Sequence, residues 1–231
     1  MRKSRCAAQG REVPFRDRLE AGERLGAALV RFAHTRPVVL AIPRGGVPVG
    51  DAVARRLGAP LDLVLARKLR VPFQPELALG AVAEGDPPIV VWNDDIVAYA
   101  ALDPAALERE VNLERMEITR RRALYLRGAP PLPLAGRTAL VVDDGLATGA
   151  TTLAALRAVR RRVPRRLVLA IPVAPTEGLP RVRAEVDDLV CLEDYAFFGS
   201  IGAYCRDFRP VHDDEVVAIL TDRRRAPDVR A

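Results

Sequence analysis

Apolar positions along this chain fall into two kinds of run: some recur at helical spacing, others are short and unbroken. The first kind spans Asp17 to Phe32, where Leu19, Leu25, Ala28, Leu29 and Phe32 share one face, and predicts a helix. Val38 to Ile42 is of the second kind, a short all-apolar strand that stops at Pro43-Arg44-Gly45-Gly46. Val49, Ala52, Val53 and Leu57 then mark a second helix, closed by Gly58 and Pro60, and Leu61 to Ala66 is the next strand. A strand-loop-helix-strand unit with unbroken apolar strands predicts a parallel sheet covered on both faces.

The pattern then loosens. From about 70 to 88 the chain is irregular and rich in proline and glycine, with 77–79 and 81–83 as short edge-strand pieces. Ile89 to Trp92 reads as a strand, and Asp103-Pro104 as the start of a helix to about Leu126: aspartate caps free amides and proline suits the first turn. Gly128 to Pro133 is a turn or linker. Thr138 to Val142 predicts a strand, Thr151 to Arg162 a helix, Leu167 to Ile171 a strand, and Val186 to Leu189 a further one before the segment Asp194 to Phe208. No internal repeat stands out, so residues 1–231 are read as a single α/β domain. The stretch after Lys68 fits a linker and a flexible active-site loop equally well.

Composition narrows the classes. With 49% hydrophobic residues a sizeable core is available. The net charge of +6 comes from arginine almost alone, the lysines being Lys3 and Lys68, and it favours anionic partners without choosing among them. Nucleic acid is disfavoured, since no zinc-finger spacing, helix-turn-helix or RNA-binding aromatic pattern is present. Cys6, Cys191 and Cys205 are too few and too far apart for a disulfide scaffold, and they fit a reducing cytosol. His34 and His212 cannot build a histidine-rich metal site. No signal-peptide pattern or membrane-spanning run is seen, so a cytoplasmic location is expected.

The chemistry concentrates in Leu140 to Thr152, LVVDDGLATGATT. An apolar strand ends in two carboxylates, Asp143 and Asp144, where open α/β sheets place ligands. Gly145, Ala147, Thr148, Gly149, Ala150, Thr151 and Thr152 follow, supplying compact backbone, hydroxyls and the free amides of a helix start, which suit a phosphate. Carboxylates beside such a loop suit a sugar diol next to a phosphate. Two adjacent like charges also call for hydroxyls, amides or a hydrated cation to offset them.

This run resembles the phosphoribosyl-diphosphate binding motif of type I phosphoribosyltransferases. The resemblance covers roughly Val38 to Ile171 and implies that family's fold: a twisted, mostly parallel sheet with helices on both faces and a small hood, here at about 186–210. It implies that Asp143 and Asp144 bind the ribose hydroxyls and that 147–152 hold the 5-phosphate. IPRGGVPVG resembles the family's diphosphate loop, with Arg44, Gly45 and Gly46 against the diphosphate and a cis peptide between Pro43 and Arg44. Arg67 and Lys68, read at the end of the second strand, would hold the leaving diphosphate. Hypoxanthine-guanine enzymes carry a third aspartate where this chain has Ala147, which argues against a 6-oxopurine acceptor.

Tyr195, Phe197, Phe198 and Tyr204 are either a hood that stacks on a planar base or a small hydrophobic subcore. Glu76 and Glu84 are read chiefly as surface charge. The implied reaction is transfer of 5-phosphoribosyl from phosphoribosyl diphosphate to a nitrogenous base, with release of diphosphate. Mg²⁺ is the implied cofactor, beside Asp143 and Asp144. Arg44 and Lys68 join the two aspartates as the expected catalytic residues. A homodimer is left open. The competing reading is a phosphoribosyl-diphosphate sensor with little turnover.

Overall fold

The computed structural model describes residues 13–225; Lys3 and Cys6 lie outside them. The central sheet has five strands in the order β2-β1-β6-β7-β8, all parallel: β1 Pro37–Ala41, β2 Leu61–Leu63, β6 Thr138–Val142, β7 Arg166–Pro175 and β8 Asp188–Tyr195. A second sheet is antiparallel and three-stranded, in the order β3-β4-β5: β3 Ala66–Val71, β4 Gln74–Ala83 and β5 Ile89–Trp92. The seven helices assigned among the described residues are α1 Arg18–Leu29, α2 Gly46–Leu57, α3 Asp94–Ala100, α4 Pro104–Leu126, α5 Ala150–Arg161, α6 Leu179–Arg183 and α7 Asp213–Arg225.

Period-two alternation divides each central strand between two cores. Val39 and Ala41 of β1, with Leu140 and Val142 of β6, pack against α1, α2 and α7. Val38 and Leu40, with Ala139 and Val141, pack against α5 and one face of the antiparallel sheet. β1 and β6 are buried along all five of their residues, which is why they read as unbroken apolar runs. Local chemistry sets the helix ends. The Asp17 side chain accepts from the Glu20 amide at 2.8 Å to open α1, and Asp103 accepts from Ala106 at 2.6 Å to open α4. Gly58, at φ +59°, closes α2.

Three expectations need correction. The run 61–66 is not one strand. It leaves the parallel sheet after Leu63, and alternation of core and polar positions begins at Ala66, within β3. Arg67 and Lys68 therefore sit inside an antiparallel strand, not at the end of a parallel one. The stretch from 71 to 88, read as irregular, is mostly the long strand β4. A tight turn at Pro72-Phe73 and register shifts beside Leu69 and Arg70 blur its periodicity. Finally, 186–195 does not begin a hood: β8 is the edge strand of the central sheet, pairing Asp188 to Tyr195 with β7. α3 and α7 went unread.

The strand order sets the place for a ligand. From β1 the chain moves outward to β2; from β6 it moves the opposite way, to β7 and β8. The crevice between the C-terminal ends of β1 and β6 is thus a topological switch point, where open α/β sheets bind ligands.

Candidate active site

Two loops leave the switch point, and they touch. β1 runs into Ile42-Pro43-Arg44-Gly45-Gly46, with a cis peptide between Pro43 and Arg44. β6 runs into Asp143-Asp144-Gly145. The Ile42 amide donates to the Val142 carbonyl at 2.9 Å, which extends the ladder to the loop mouths. Contact explains both loop glycines. A Cβ on Gly45 would lie 1.9 Å from Asp144 Oδ2, and one on Gly46 would lie 2.8 Å from the Val142 carbonyl oxygen and 2.9 Å from Asp143 Cα. Only a residue without a side chain lets the first loop close over the acids.

The two carboxylates differ in their partners. Asp143 accepts the Asp144 amide at 2.8 Å. Burial, and after it the Asp144 carboxylate, push the Asp143 carboxyl well above the usual carboxylate range. Asp144 is paired: Arg18 Nε, from the first residue of α1, donates to Asp144 Oδ2 at 2.8 Å. Arg18 is itself fixed twice more, by Nη1 on the Arg209 carbonyl at 2.8 Å and by its guanidinium carbon 3.7 Å from the centre of the Phe208 ring. Sequence reading missed Arg18. Its only local signal is its place one residue after a capping aspartate, and its partner lies 126 positions away.

The phosphate-type loop is presented as a helix start. Ala147 and Thr148 are exposed, and Gly149 takes φ +80°, a left-handed torsion that turns the chain into α5. No side chain caps α5 among the described residues, so the first amides of a twelve-residue helix face outward beside the hydroxyls of Thr148 and Thr151. Thr152 differs: it is only 3% exposed and belongs to the core side of the helix. Gly145 is held from behind, since a Cβ there would meet Ile201 at 2.7 Å.

The expected basic residues separate. Arg44 reaches toward α7, with Nη1 3.4 Å from Asp213 Oδ1. Asp213 also accepts the Tyr125 hydroxyl at 2.5 Å. Burial, then that hydrogen bond, push the Tyr125 hydroxyl up to about 12, while the same bond draws Asp213 below the usual range. Arg67 is ion-paired with Glu114 of α4. Lys68 lies on the opposite face of β3, the face that includes Ala66, and forms no ion pair among the described residues. Glu84, expected at the surface, is partly buried and paired with Arg122. Glu76 is exposed.

The aromatic residues are not equivalent either. Tyr195 and Tyr204 stack with ring centres 4.5 Å apart, and Phe198 stacks on Tyr204 at 4.9 Å. Tyr195 and Tyr204 are buried in a small core with Phe15, Ala21 and Val173. Phe197, 70% exposed, stands outside it.

A parallel sheet whose switch point carries paired acids, an uncapped helix start and a glycine loop closed over the acids defines an open α/β protein with a crevice at its switch point. The chain belongs to the phosphoribosyl transferase domain family, whose model matches residues 18–209. It is 44% identical over 211 residues to two proteins of Mycobacterium tuberculosis, "Putative phosphoribosyl transferase Rv0571c" and "Putative phosphoribosyl transferase MT0597". Those alignments cover 91% of this chain and 47% of each relative, so the chain spans about half the length of the curated relatives it matches. A solved structure, TT1426 from Thermus thermophilus, superposes with a TM-score of 0.74 at 45% identity, covering 90% of this chain and 98% of that one. The matched span begins at Arg18 and ends at Arg209, the two residues joined by the hydrogen bond behind Asp144.

Proposed function

We propose that this protein transfers a 5-phosphoribosyl group from phosphoribosyl diphosphate to a ring nitrogen of a small base and releases diphosphate. The observation that carries the reading is the contact between the two loops at the switch point: Asp143 and Asp144 lie directly under Gly45 and Gly46 and directly before the uncapped start of α5. A ribose diol on the acids, a 5-phosphate on 147–151 and a diphosphate against 44–46 would occupy adjoining parts of one crevice.

In the reaction the bond from the sugar's C1 to the diphosphate oxygen breaks, and the oxygen keeps the electron pair. A bond from the base nitrogen to C1 forms, and the nitrogen's proton passes to solvent. The chain's contribution is positional and electrostatic. Asp143 and Asp144 would orient the diol and offset positive charge developing on the ring, with Arg18 holding Asp144 in place. The backbone of the Arg44-Gly45 loop, with the Arg44 and Lys68 side chains, would receive the diphosphate, the Gly46 amide being held by the Ile42 carbonyl at 3.1 Å. Arg67, engaged by Glu114, would act by anchoring β3 beneath Lys68.

Mg²⁺ fits the donor set. Asp143 and Asp144 offer hard oxygen ligands, and a cation would offset both the burial and the neighbouring charge that raise the Asp143 carboxyl. Bound there, the ion would supply charge neutralisation for the diphosphate. The acceptor would be met by Phe197 and Phe198, the hood rings with exposed area, rather than by the buried Tyr195 and Tyr204. Ala147 places no carboxylate in the loop at its position, which fits an acceptor other than a 6-oxopurine. No helix among the described residues is long and apolar enough to cross a membrane.

The test is incubation of the protein with labelled phosphoribosyl diphosphate, Mg²⁺ and a panel of purine and pyrimidine bases. Base-dependent release of diphosphate together with nucleotide formation is the expected result. Tight donor binding with no base accepted would replace the enzyme reading with that of a sensor.

A further inference from the structure

Away from the paired acids, a cavity of about 430 Å³ opens between the root of β4 and β5, helix α4 and the C-terminal end of α5. That volume lies in the range of small-molecule sites. Helix α5 starts at the phosphate-type loop and ends at the cavity; twelve residues at the α-helical rise put the two about 18 Å apart.

The walls combine apolar surface with an excess of hydrogen-bond donors. Val64, Ile89, Pro131 and Ala158 supply the apolar part. Three arginines reach the cavity, Arg122, Arg161 and Arg162, against two acids, Glu84 and Asp86. A guanidinium has five N–H donors. Arg122 pairs with Glu84, and its Nη2 is buried with no partner. Arg162 donates from Nη2 to the Leu132 carbonyl at 2.6 Å, and Arg161 from Nη1 to the Pro87 carbonyl at 3.3 Å. These are the side-chain hydrogen bonds the three make among the described residues.

Charge does not decide the matter: the three cations face Glu84, Asp86 and, behind Arg162, Asp62, together with the negative end of α5. The donor at Arg122 is the stronger argument, because a buried N–H group without an acceptor, as its Nη2 is, is costly. An oxyanion supplies acceptors in the planar geometry that guanidinium forks match. The proline and aliphatic walls suit a flat apolar body attached to it. The geometry points to a second binding site, for a small molecule carrying a carboxylate or phosphate on a flat apolar ring.

Calorimetric titration of the full chain with phenyl phosphate, benzoate and benzyl alcohol tests this. At least one of the two anions should bind saturably, and at least tenfold more tightly than the neutral alcohol; the better of the two identifies the head group. The double substitution Arg161→Gln/Arg162→Gln should weaken that binding at least tenfold, whereas Thr148→Val/Thr151→Val should leave it unchanged. If the double variant loses its circular dichroism signal, Arg161→Gln alone, at an exposed position, should still lower the affinity several-fold. Absence of saturable binding, equal binding of the alcohol, insensitivity to the arginine changes, or loss that follows the threonine variant would each overturn the proposal.

Discussion

The two strands at the switch point and the antiparallel strand β3 handle charge in opposite ways. β1 and β6 are buried throughout, and ionisable groups begin only where these two strands end, at Arg44 and Asp143. In the antiparallel sheet, Arg67, Lys68 and Arg70 lie within β3 itself, and Glu114 of α4 engages both Arg67 and Arg70. A charge beyond a strand end is free to face a ligand beside the loop's backbone amides. A charge within a strand is drawn into packing against the next layer. Neighbouring basic residues can therefore hold different roles, and Arg67 and Lys68 are the sharpest case.

The largest expected effect concerns the strand-end acids. Asp143→Asn/Asp144→Asn should lower turnover of phosphoribosyl diphosphate by about 10²–10³-fold, the usual loss when charge stabilisation of a transition state is removed. Steady-state kinetics at saturating base would show it; near wild-type turnover would break the division between these strands.

The next effect separates the mid-strand pair. Arg67→Gln should destabilise the fold by about 1–3 kcal/mol, because it leaves the mostly buried Glu114 carboxylate with only the longer contact to Arg70. Lys68→Gln should leave the melting temperature unchanged and lower turnover. Urea melts and kinetics on both variants check this, and the reverse pattern would exchange the two assignments.

Within the phosphate-type loop, Thr148→Val and Thr151→Val should each weaken donor binding by about 1–3 kcal/mol. Thr152→Val, on the core side, should leave donor affinity where it is. A loss confined to Thr152→Val would misplace the phosphate.

The smallest effect is a pH dependence. The Asp143 carboxyl is raised above its ordinary 3.8, so its protonated form favours the folded state. That contribution is complete below about pH 4 and is lost as pH climbs through the raised value. Asp143→Asn should therefore gain in melting temperature on the wild-type protein as pH rises. Asp144→Asn should show no such gain, since it costs Arg18 its ion pair. A gap for Asp143→Asn that closes toward high pH would contradict the crowding of the two acids.

The same contrast explains what could be read from sequence. The run from Thr138 through the acids to the start of α5 was legible because each step is local: a strand buried on both faces, then a turn, then a helix. The Pro43-Gly46 loop was legible for the same reason. β3 and β4 were not. Their alternation is interrupted by register shifts and by a proline-bearing turn, and part of their pattern answers to α4, which begins only at Pro104. Arg18 was hidden because its role depends on a partner 126 positions away. α7 carried a signal that went unused: Asp213, Asp214 and Glu215 in its first turn and arginines at its end match the helix dipole.

The crevice at Asp143 and Asp144, closed by Gly45 and Gly46, is the proposed site of phosphoribosyl diphosphate. Calorimetric titration of that donor with Mg²⁺ into the wild-type protein and into Asp143→Asn/Asp144→Asn tests it most directly. Saturable one-to-one binding to the wild type, weakened at least tenfold in a variant that keeps its fold, is the predicted result. Equal affinity in the two proteins would contradict it.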